Sequence, residues 1–435
     1  MAAIRPIRTA LAAACAMAGV HADTAGAQTA AQTTEVDGAV MLYSESQRVL
    51  AVEPVIQVTH PLSDLRTLSV KLVLDGLTGA SPNGAVPSTQ AQTFTRPSGS
   101  SSYTAAPNAT PLDDAFSDKR GELDVSLEQR YGLLTRASYG GHVSLEQDYA
   151  SVGADLVLKR EFDRRNRMLT LGLSLGLDSV SPQGGAPTAL GEMAAPSESN
   201  GEGDDEGGGE GAPGESKNTA DLLVGYTQIV DRSTVAQVNY SASHSGGYLN
   251  DPYKFVSVVA PESSADAGEP VRQLYESRPD SRLKQSVFGR VKRHLGRDVL
   301  DLSYRYLWDD WNIRSQTAEL RYILRYREGD SLEPDLRWYR QSAADFYRHS
   351  LVDGVALPAH ASADPRLAAF DAWTYGLRWR HTLASGREIS LRAEYYQQRG
   401  DSHPADAIGQ LKNQDLFPDL DAVVFEVGWR FDIPR

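Results

Sequence analysis

Hydrophobic and polar residues alternate strictly along much of this chain. In RMLTLGLSLGLDS, leucines occupy positions 169, 171, 173, 175 and 177, and small or polar residues lie between them. Alternation with period two places the leucines on one face of an extended strand and the polar residues on the other. The pattern recurs in TAELRYILRYRE, DAWTYGLRWRH, EISLRAEYYQ and the closing LDAVVFEVGWRFDIPR. The chain is therefore predicted to consist of long amphipathic strands.

The strands are long enough to cross a membrane, since a tilted spanning strand needs about 10 residues. About 16 can be read, an even number of the kind that outer-membrane barrels use. A soluble β-sandwich is the alternative, but its strands are mostly shorter. We predict an all-β fold, a transmembrane antiparallel up-and-down barrel, with strands at 36–45, 48–60, 67–76, 119–131, 138–148, 151–162, 167–179, 219–230, 234–246, 283–295, 298–309, 312–327, 332–346, 371–383, 387–399 and 420–432.

The lengths of the connections favour a barrel over a sandwich. The short connections DRRNR, VDRST, LGRD, REGD and ASGR all follow even-numbered strands. Outer-membrane barrels alternate short periplasmic turns with longer outside loops, so this parity predicts periplasmic termini. The long connections all follow odd-numbered strands, at 77–118, 180–218, 247–282, 347–370 and 400–419.

The N-terminus has the layout of a secretory signal peptide. Two arginines precede an apolar run that ends near Val20, and small-residue cleavage sites follow at Ala22 or Ala27. The mature chain, 28–435, is then predicted to be a single barrel in the bacterial outer membrane. The sole cysteine, Cys15, falls in the leader, so we expect no disulfide and no cysteine metal site. Lipoprotein processing at Cys15 is the less favoured alternative.

Charge and hydropathy exclude two classes of protein. The mean hydropathy is -0.39, and no internal window holds the roughly 18 apolar residues of a spanning helix. The formal net charge of -14 lacks the basic footprint of a nucleic-acid partner. The acidic, glycine-rich NGEGDDEGGGEGAPGES lies in the loop 181–217 and reads as a disordered extracellular segment. Its spacing matches no calcium loop.

Inward-facing charges are the candidate functional residues, because a barrel of this strand number encloses a water-filled lumen. The acids lie mostly in the first half, and the predicted acidic arc is Asp75, Glu146, Asp148, Asp155, Glu161, Asp178 and Asp221. The predicted basic arc, mostly in the second half, is Arg290, Lys292, Arg305, Arg321, Arg325, Arg327, Arg337, Arg378, Arg380, Arg392 and Arg430. Opposed arcs would set a field across the lumen. Alternatively, these residues pair with one another.

No pattern of an enzyme or metal site stands out. Ser243 and His244 are neighbours in sequence, but a catalytic base must meet its nucleophile in space with an orienting third group. In WDDW, we interpret Trp308 and Trp311 as membrane-interface aromatics and the two aspartates as turn residues. The nine histidines are scattered. We predict no catalytic residue, no metal and no cofactor.

Six motifs resemble those of a bacterial family catalogued as a domain of unknown function (number thirty-five-seventy). They are MLYSESQRVLAVEP, VLDGLTGASPNGA, SLEQDYASVG, GGYLNDPYK, YRYLWDDWNIRSQTAELRY and YRQSAADFY, and they span nearly the whole mature chain. The resemblance implies an outer-membrane barrel but no reaction. It highlights several positions, most of which parity puts at or near extracellular strand ends: Asp75, 79–83, Glu146, Asp148, Tyr149, 250–253, 308–311 and 342–345.

Two functions are compatible with these features. Strand number and a charged interior predict a porin-like channel for small polar or charged solutes. The alternative is a plugged, non-conducting barrel that serves as a scaffold or binding protein for envelope partners; a surface enzyme is less favoured. The loop 77–118 is long enough to fold inward and constrict the lumen. The expected partners are outer-membrane lipid and the barrel-assembly machinery.

The last strand is predicted to close the barrel. Its outward face would show Phe425, Trp429 and Phe431 to lipid, and pairing with the first strand near 36–45 would remove both sheet edges.

We predict that Phe431→Ala lowers the yield of assembled barrel more than Ile433→Ala. Barrels of this class resemble one another in ending on an aromatic residue that the assembly machinery recognises, and Phe431 is the last aromatic here. A heat-modifiability gel measures the folded fraction. Equal yields from the two variants would contradict the prediction.

Overall fold

The computed structural model describes residues 33–433, apart from 47, 80–81, 96–101, 113–116, 183–184 and 194–213. The predicted signal peptide, Cys15 and most of the acidic segment 201–215 lie outside the described residues, as do two residues of the GASPNG motif.

Sixteen antiparallel strands close into one barrel, which confirms the predicted fold class. Numbered in chain order with all other strands, they are β1 Thr34–Glu45, β2 Leu50–Ser63, β3 Arg66–Thr78, β6 Ser117–Tyr131, β7 Thr135–Glu146, β8 Tyr149–Phe162, β9 Arg167–Val180, β10 Glu215–Asp231, β11 Thr234–Gly247, β14 Ser281–Leu295, β15 Asp298–Asp309, β16 Arg314–Arg327, β17 Asp330–Gln341, β19 Phe370–Thr382, β20 Glu388–Gly400 and β21 Leu420–Ile433.

Five shorter strands lie in the loops: β4 Gln92–Thr95, β5 Ser102–Ala105, β12 Phe255–Val259, β13 Pro270–Tyr275 and β18 Leu351–Val352. Two 3-10 turns, Pro365–Leu367 and Gly409–Asn413, complete the secondary structure of the described residues. Within this part of the chain, no helix has the length and apolar character needed to cross a membrane.

The sequence alternation decides which face of each strand points outward. In β9 the alternating leucines from Leu169 to Leu177 are between 39% and 65% exposed, whereas Thr170 and Ser174 between them are half-buried. Large apolar side chains are exposed in the same way on the other barrel strands. Because an exposed apolar belt around a closed sheet suits lipid and not water, this surface is the one that a bilayer would cover.

The seam between the first and last strands closes the barrel as predicted. Val36 pairs with Phe431, Gly38 with Trp429 and Leu42 with Phe425 in one antiparallel register. The Trp429 ring covers Gly38 so closely that an added Cβ would lie 2.3 Å from it. A glycine at this position therefore lets the outward tryptophan pack flat on the seam.

The two ends of the barrel differ sharply. All connections after even-numbered barrel strands are short, and the longest runs from 383 to 387. The chain termini of the barrel lie at this same end, which we call the turn mouth. Five long loops emerge from the other end, which we call the loop mouth: 79–116, 181–214, 248–280, 342–369 and 401–419. The predicted parity of long and short connections is confirmed.

The described parts of the five long loops fold together, and we call this unit the cap. Strand β12 is buried along its whole length and pairs with β13 from its own loop and with β18 from the loop 342–369. Phe255 in β12 packs on Phe94 of the loop 79–116, with ring centroids 5.8 Å apart. Leu411 joins a further buried cluster with Val86 and Val259. The cap therefore has a hydrophobic core of its own, built from segments far apart in sequence.

The packing at the seam generates a matched pair of variants. We predict that Gly38→Val lowers the thermal unfolding midpoint of the barrel, because a side chain there must displace the Trp429 ring, and overpacking costs about 1–3 kcal/mol. Gly76→Val is the control, since nothing lies within 4 Å of an added Cβ at this outward position of β3. Heat-modifiability measured across a temperature series gives both midpoints. Equal midpoints would contradict the packing described for the seam.

Candidate functional site

The predicted acidic arc lies beside bases that sequence reasoning did not include. Arg120 Nε is 3.9 Å from both Asp75 and Glu146, and Lys217 is 3.0 Å from Asp178. Glu161 lies at the turn mouth beside Arg136 and Arg165, and Asp155 lies beside His142. Asp221 is on the inner face of β10, opposite Ser174 and Ser243. Asp148 occupies the connection between β7 and β8 rather than a strand.

The predicted basic arc is interleaved with acids. Arg290 donates to Asp301 at 2.5 Å and 2.8 Å, and Lys292 is 3.7 Å from the same carboxylate. Further pairs are Arg321 with Glu319, Arg378 with Glu426, Arg380 with Glu333 and Glu388, Arg392 with Glu394, and Arg430 with Asp37 and Glu35. These contacts are what the pairing interpretation of the lumen expects.

Four members of the basic arc are arranged differently. Arg325 and Arg327 are exposed at the end of β16, next to the turn mouth, where the register with β17 shifts. Arg305 and Arg337 lie in the middle of β15 and β17. Neither has a carboxylate within 4.0 Å among the described residues.

The structure tests the sequence interpretations of Trp311 and of the neighbouring Ser243 and His244. Trp311 does not lie at a lipid interface: it is buried against the cap, with its ring centroid 5.0 Å from that of Phe346 and beneath the Arg282 guanidinium. The interface assignment was wrong for this tryptophan because Asp309, two residues before it, stabilises a turn by accepting hydrogen bonds from the Trp311 and Ile313 amides. Consecutive residues of a strand point to opposite faces, so β11 separates the side chains of its Ser-His neighbours.

A buried ionic cluster lies at the centre of the cap, and it is the candidate functional site. Its acids and its lysine are at most 8% exposed. It is built from Asp251, Lys254, Glu276 and Arg278 of one loop and Asp364 and Arg366 of another. Three acids and three bases give the cluster no net charge, which is the condition under which charges can be buried.

The cluster ties three loops together through short hydrogen bonds. Arg278 donates to Asp364 at 2.7 Å, and Arg366 donates to Asp251 at 2.6 Å. Lys254 Nζ donates to the carbonyl oxygen of Pro82 at 2.5 Å, which adds the loop 79–116. Because these bonds cross between loops, the cluster holds the three loops in place relative to one another.

The electrostatics of the cluster favour its charged form. Burial alone would raise the pKa of Asp251 and of Asp364, but Arg366 and Lys254 hold the pKa of both carboxyls well below the usual range. Burial raises the pKa of Glu276, against the pull of Arg278. The two depressed carboxyls stabilise the cap above a pH of about 4, and their contribution is lost as pH falls through the lowered values. The raised pKa of Glu276 has the opposite effect, because protonation of this buried carboxyl at low pH stabilises the cap. Acid therefore destabilises the cap through Asp251 and Asp364 and stabilises it only through Glu276.

The cap contacts opposite sides of the barrel wall. The Tyr253 hydroxyl donates to Asp148, between the fifth and sixth barrel strands. Gln341, at the end of the thirteenth of sixteen strands, donates to the carbonyl oxygens of Arg366 and Ala368 at 2.9 Å and 2.7 Å. Strands five and thirteen face each other across such a ring. Because Arg366 also pairs with Asp251, two residues before Tyr253, a continuous chain of contacts crosses the loop mouth.

Aromatic packing adds a further attachment. Phe417, from the loop 401–419, is buried with its ring against Gly400, where an added Cβ would lie 2.5 Å from the ring. Its centroid is 6.2 Å from that of Phe370 on the neighbouring strand. The cap therefore covers the ends of β19 and β20 at the loop mouth. No group of three or more His, Asp or Glu side chains within the described ranges is arranged to hold a metal ion.

The fold is that of an outer-membrane β-barrel, here with a folded cap across one mouth. The chain belongs to the family described as "Protein of unknown function (DUF3570)", whose model matches residues 8–431. The predicted family is confirmed. No curated protein sequence matches the chain.

Solved structures with a similar barrel share little sequence with this chain. A mutant of the ferric enterobactin receptor PfeA from Pseudomonas aeruginosa is 11% identical, with 91% of this chain and 59% of that chain covered and a TM-score of 0.41. The outer membrane protein opdK from Pseudomonas aeruginosa is 10% identical, with 92% and 99% covered and a TM-score of 0.40. CdiB from Acinetobacter baumannii is 9% identical, with 92% and 60% covered and a TM-score of 0.45. The chain spans about three fifths of the length of the receptor and of CdiB.

We predict that Arg366→Ala loosens the cap without unfolding the barrel. The substitution leaves two buried aspartates short of a partner, and breaking a buried pair in this way costs about 3–5 kcal/mol. Hydrogen–deuterium exchange of the β12 amides should accelerate sharply, while heat-modifiability still reports a folded barrel.

Lys412→Met is the matched control for this variant. Lys412 also forms an ion pair in the cap, with Glu262 at 2.7 Å, but both side chains are more than half exposed. Exposed pairs contribute about 0–1 kcal/mol, so exchange in β12 should remain near that of the unmodified protein. Similar exchange rates in Arg366→Ala and Lys412→Met would contradict the structural role given to the buried cluster.

Proposed function

We propose that this protein is a closed outer-membrane barrel, in which the cap shuts the loop mouth and offers a binding surface for an envelope partner. It then acts as a scaffold or binding protein and not as a general porin. One observation carries the proposal: the chain of contacts from Asp148 through Tyr253, Asp251 and Arg366 to Gln341, which links opposite walls.

The free-energy cost of breaking the buried ion pairs supports a loop mouth that stays closed when no partner is bound. Opening the cap would separate Arg366 from Asp251 and Arg278 from Asp364, and it would expose the buried strand β12. Breaking one such buried pair costs about 3–5 kcal/mol, and each 1.4 kcal/mol is a factor of about ten in population. The open state would therefore be rare unless a partner bound it much more tightly than the closed state.

The topology also supports an outward-facing cap. Barrels of this class carry their short turns on the periplasmic side and their longer loops outside. The turn mouth here holds the termini and the short connections. A partner recognised by the cap would accordingly lie at the cell surface, and one recognised by the turn mouth in the periplasm.

A porin-like channel for small polar or charged solutes is the second candidate. The observation that favours it is the inner wall itself, which carries charged side chains on most strands and includes the solvent-exposed Arg305. A wall of this kind suits water and ions. The two candidates differ in one property, which is whether the loop mouth passes ions.

Single-channel recording in a planar bilayer separates them. We predict that the refolded protein gives no stable conductance steps, because the cap spans the mouth. Arg366→Ala should produce intermittent openings, and Lys412→Met should remain silent. Stable steps from the unmodified protein would contradict the proposal and favour the channel.

A further inference from the structure

Two arginines on the inner wall share one neighbourhood. Arg305 on β15 pairs in register with Thr317 on β16, which pairs with Tyr339 on β17. Arg337 precedes Tyr339 by two residues and so occupies the next inward position on the same strand. With strands about 4.8 Å apart, the two arginine Cα atoms are separated by roughly 12 Å, a span that two long side chains can bridge. Each lies within the electrostatic range of the other.

These arginines lack the partner that most neighbouring bases have. Among the described residues, neither forms an ion pair or a hydrogen bond. Glu319 lies opposite Arg337 in the register, yet its carboxylate accepts from Arg321 at 2.5 Å. Arg305 instead lies over the Phe288 ring, 5.5 Å from its centroid. The result is two neighbouring arginines without an ion pair, of which Arg305 lies within the electrostatic range of both Arg337 and Glu319.

Like charges this close repel, and the repulsion is relieved when an anion binds between them. A guanidinium presents a planar fork of donors that matches the oxygens of a phosphate or a carboxylate. The Arg305 side chain is exposed to the solvent space of the lumen, and Thr317 carries a hydroxyl on the strand between the two arginines. The neighbourhood therefore holds the charge and the donors that an oxyanion requires.

We propose that Arg305 and Arg337 form a binding site for a small oxyanion on the lumen wall beneath the cap. Two positions beyond Arg337, Tyr339 donates to Gln341 at 2.6 Å, and Gln341 is the residue that anchors the cap. With the cap closed, the anion enters from the turn mouth. This site goes beyond the proposed scaffold function and does not depend on whether the loop mouth conducts.

Isothermal titration of the full-length protein, refolded in detergent, tests the site. Sodium phosphate and sodium succinate are titrated separately at constant ionic strength, so that the two oxyanion chemistries are distinguished. We expect saturable binding of at least one. The double variant Arg305→Gln/Arg337→Gln should weaken it by more than about tenfold, because it removes both guanidinium groups that would bond to the anion.

Arg290→Gln is the control, since Arg290 faces the same lumen but is bonded to Asp301. The anion affinity of this variant should remain within about twofold of that of the unmodified protein, because the charge of Arg290 is already neutralised by Asp301. Heat-modifiability establishes that each variant is folded. Absence of saturable binding of both anions by the folded protein would overturn the site, and so would unchanged affinity in the double variant or an equal loss in Arg290→Gln. Binding together with stable channel conductance would contradict the closed mouth and leave the site intact.

Discussion

The constraint on which the rest of the structure depends is that lipid offers no hydrogen bonds to a polypeptide backbone. Every strand in the bilayer must pair on both edges, and a sheet meets this requirement only by closing. Here the closure joins β1 to β21 in one continuous register. Closing the ring also fixes which strands face each other, and it is this that sets the anchors of the cap, Asp148 and Gln341, on opposite sides of one mouth.

Charge has three different roles in this barrel. In the cap, six charged groups are buried as a neutral cluster that joins loops distant in sequence. Along the lumen wall, most bases lie beside an acid on the same or a neighbouring strand, so the wall is polar without a large net field. Arg305 and Arg337 form no ion pair with a described carboxylate, and a bound anion would give both of them a partner. The neutral buried cluster stabilises the cap, whereas the unpaired arginines on the lumen wall favour the binding of an anion.

The features that could be predicted from the sequence are those with a local cause. Period-two alternation marks each strand without reference to the others, and loop-length parity follows from antiparallel order. The cap could not be foreseen, because Val256, Leu274 and Leu351 meet only after three separate segments fold together. Most ion pairs of the lumen could not be predicted, because they depend on the register between strands. The pair of Glu319 and Arg321 is an exception, since the two residues lie two positions apart on one face of a single strand. The environment of Trp311 was predicted wrongly because the sequence pattern of an aromatic residue at a strand end is the same whether the side chain faces lipid or the cap.

Contact between the cap and the far wall is the central claim, and site-specific photo-cross-linking tests it most directly. Benzoylphenylalanine in place of Tyr253, in the full-length refolded protein, should attach on illumination to the connection that holds Asp148, as peptide mass spectrometry would reveal. Replacement of Phe417 should give attachment to β19 or β20, on the other side. Cross-links at both walls are the predicted result. Cross-links confined to the loops themselves would contradict the account, because the cap would then stand clear of the wall and leave the mouth open.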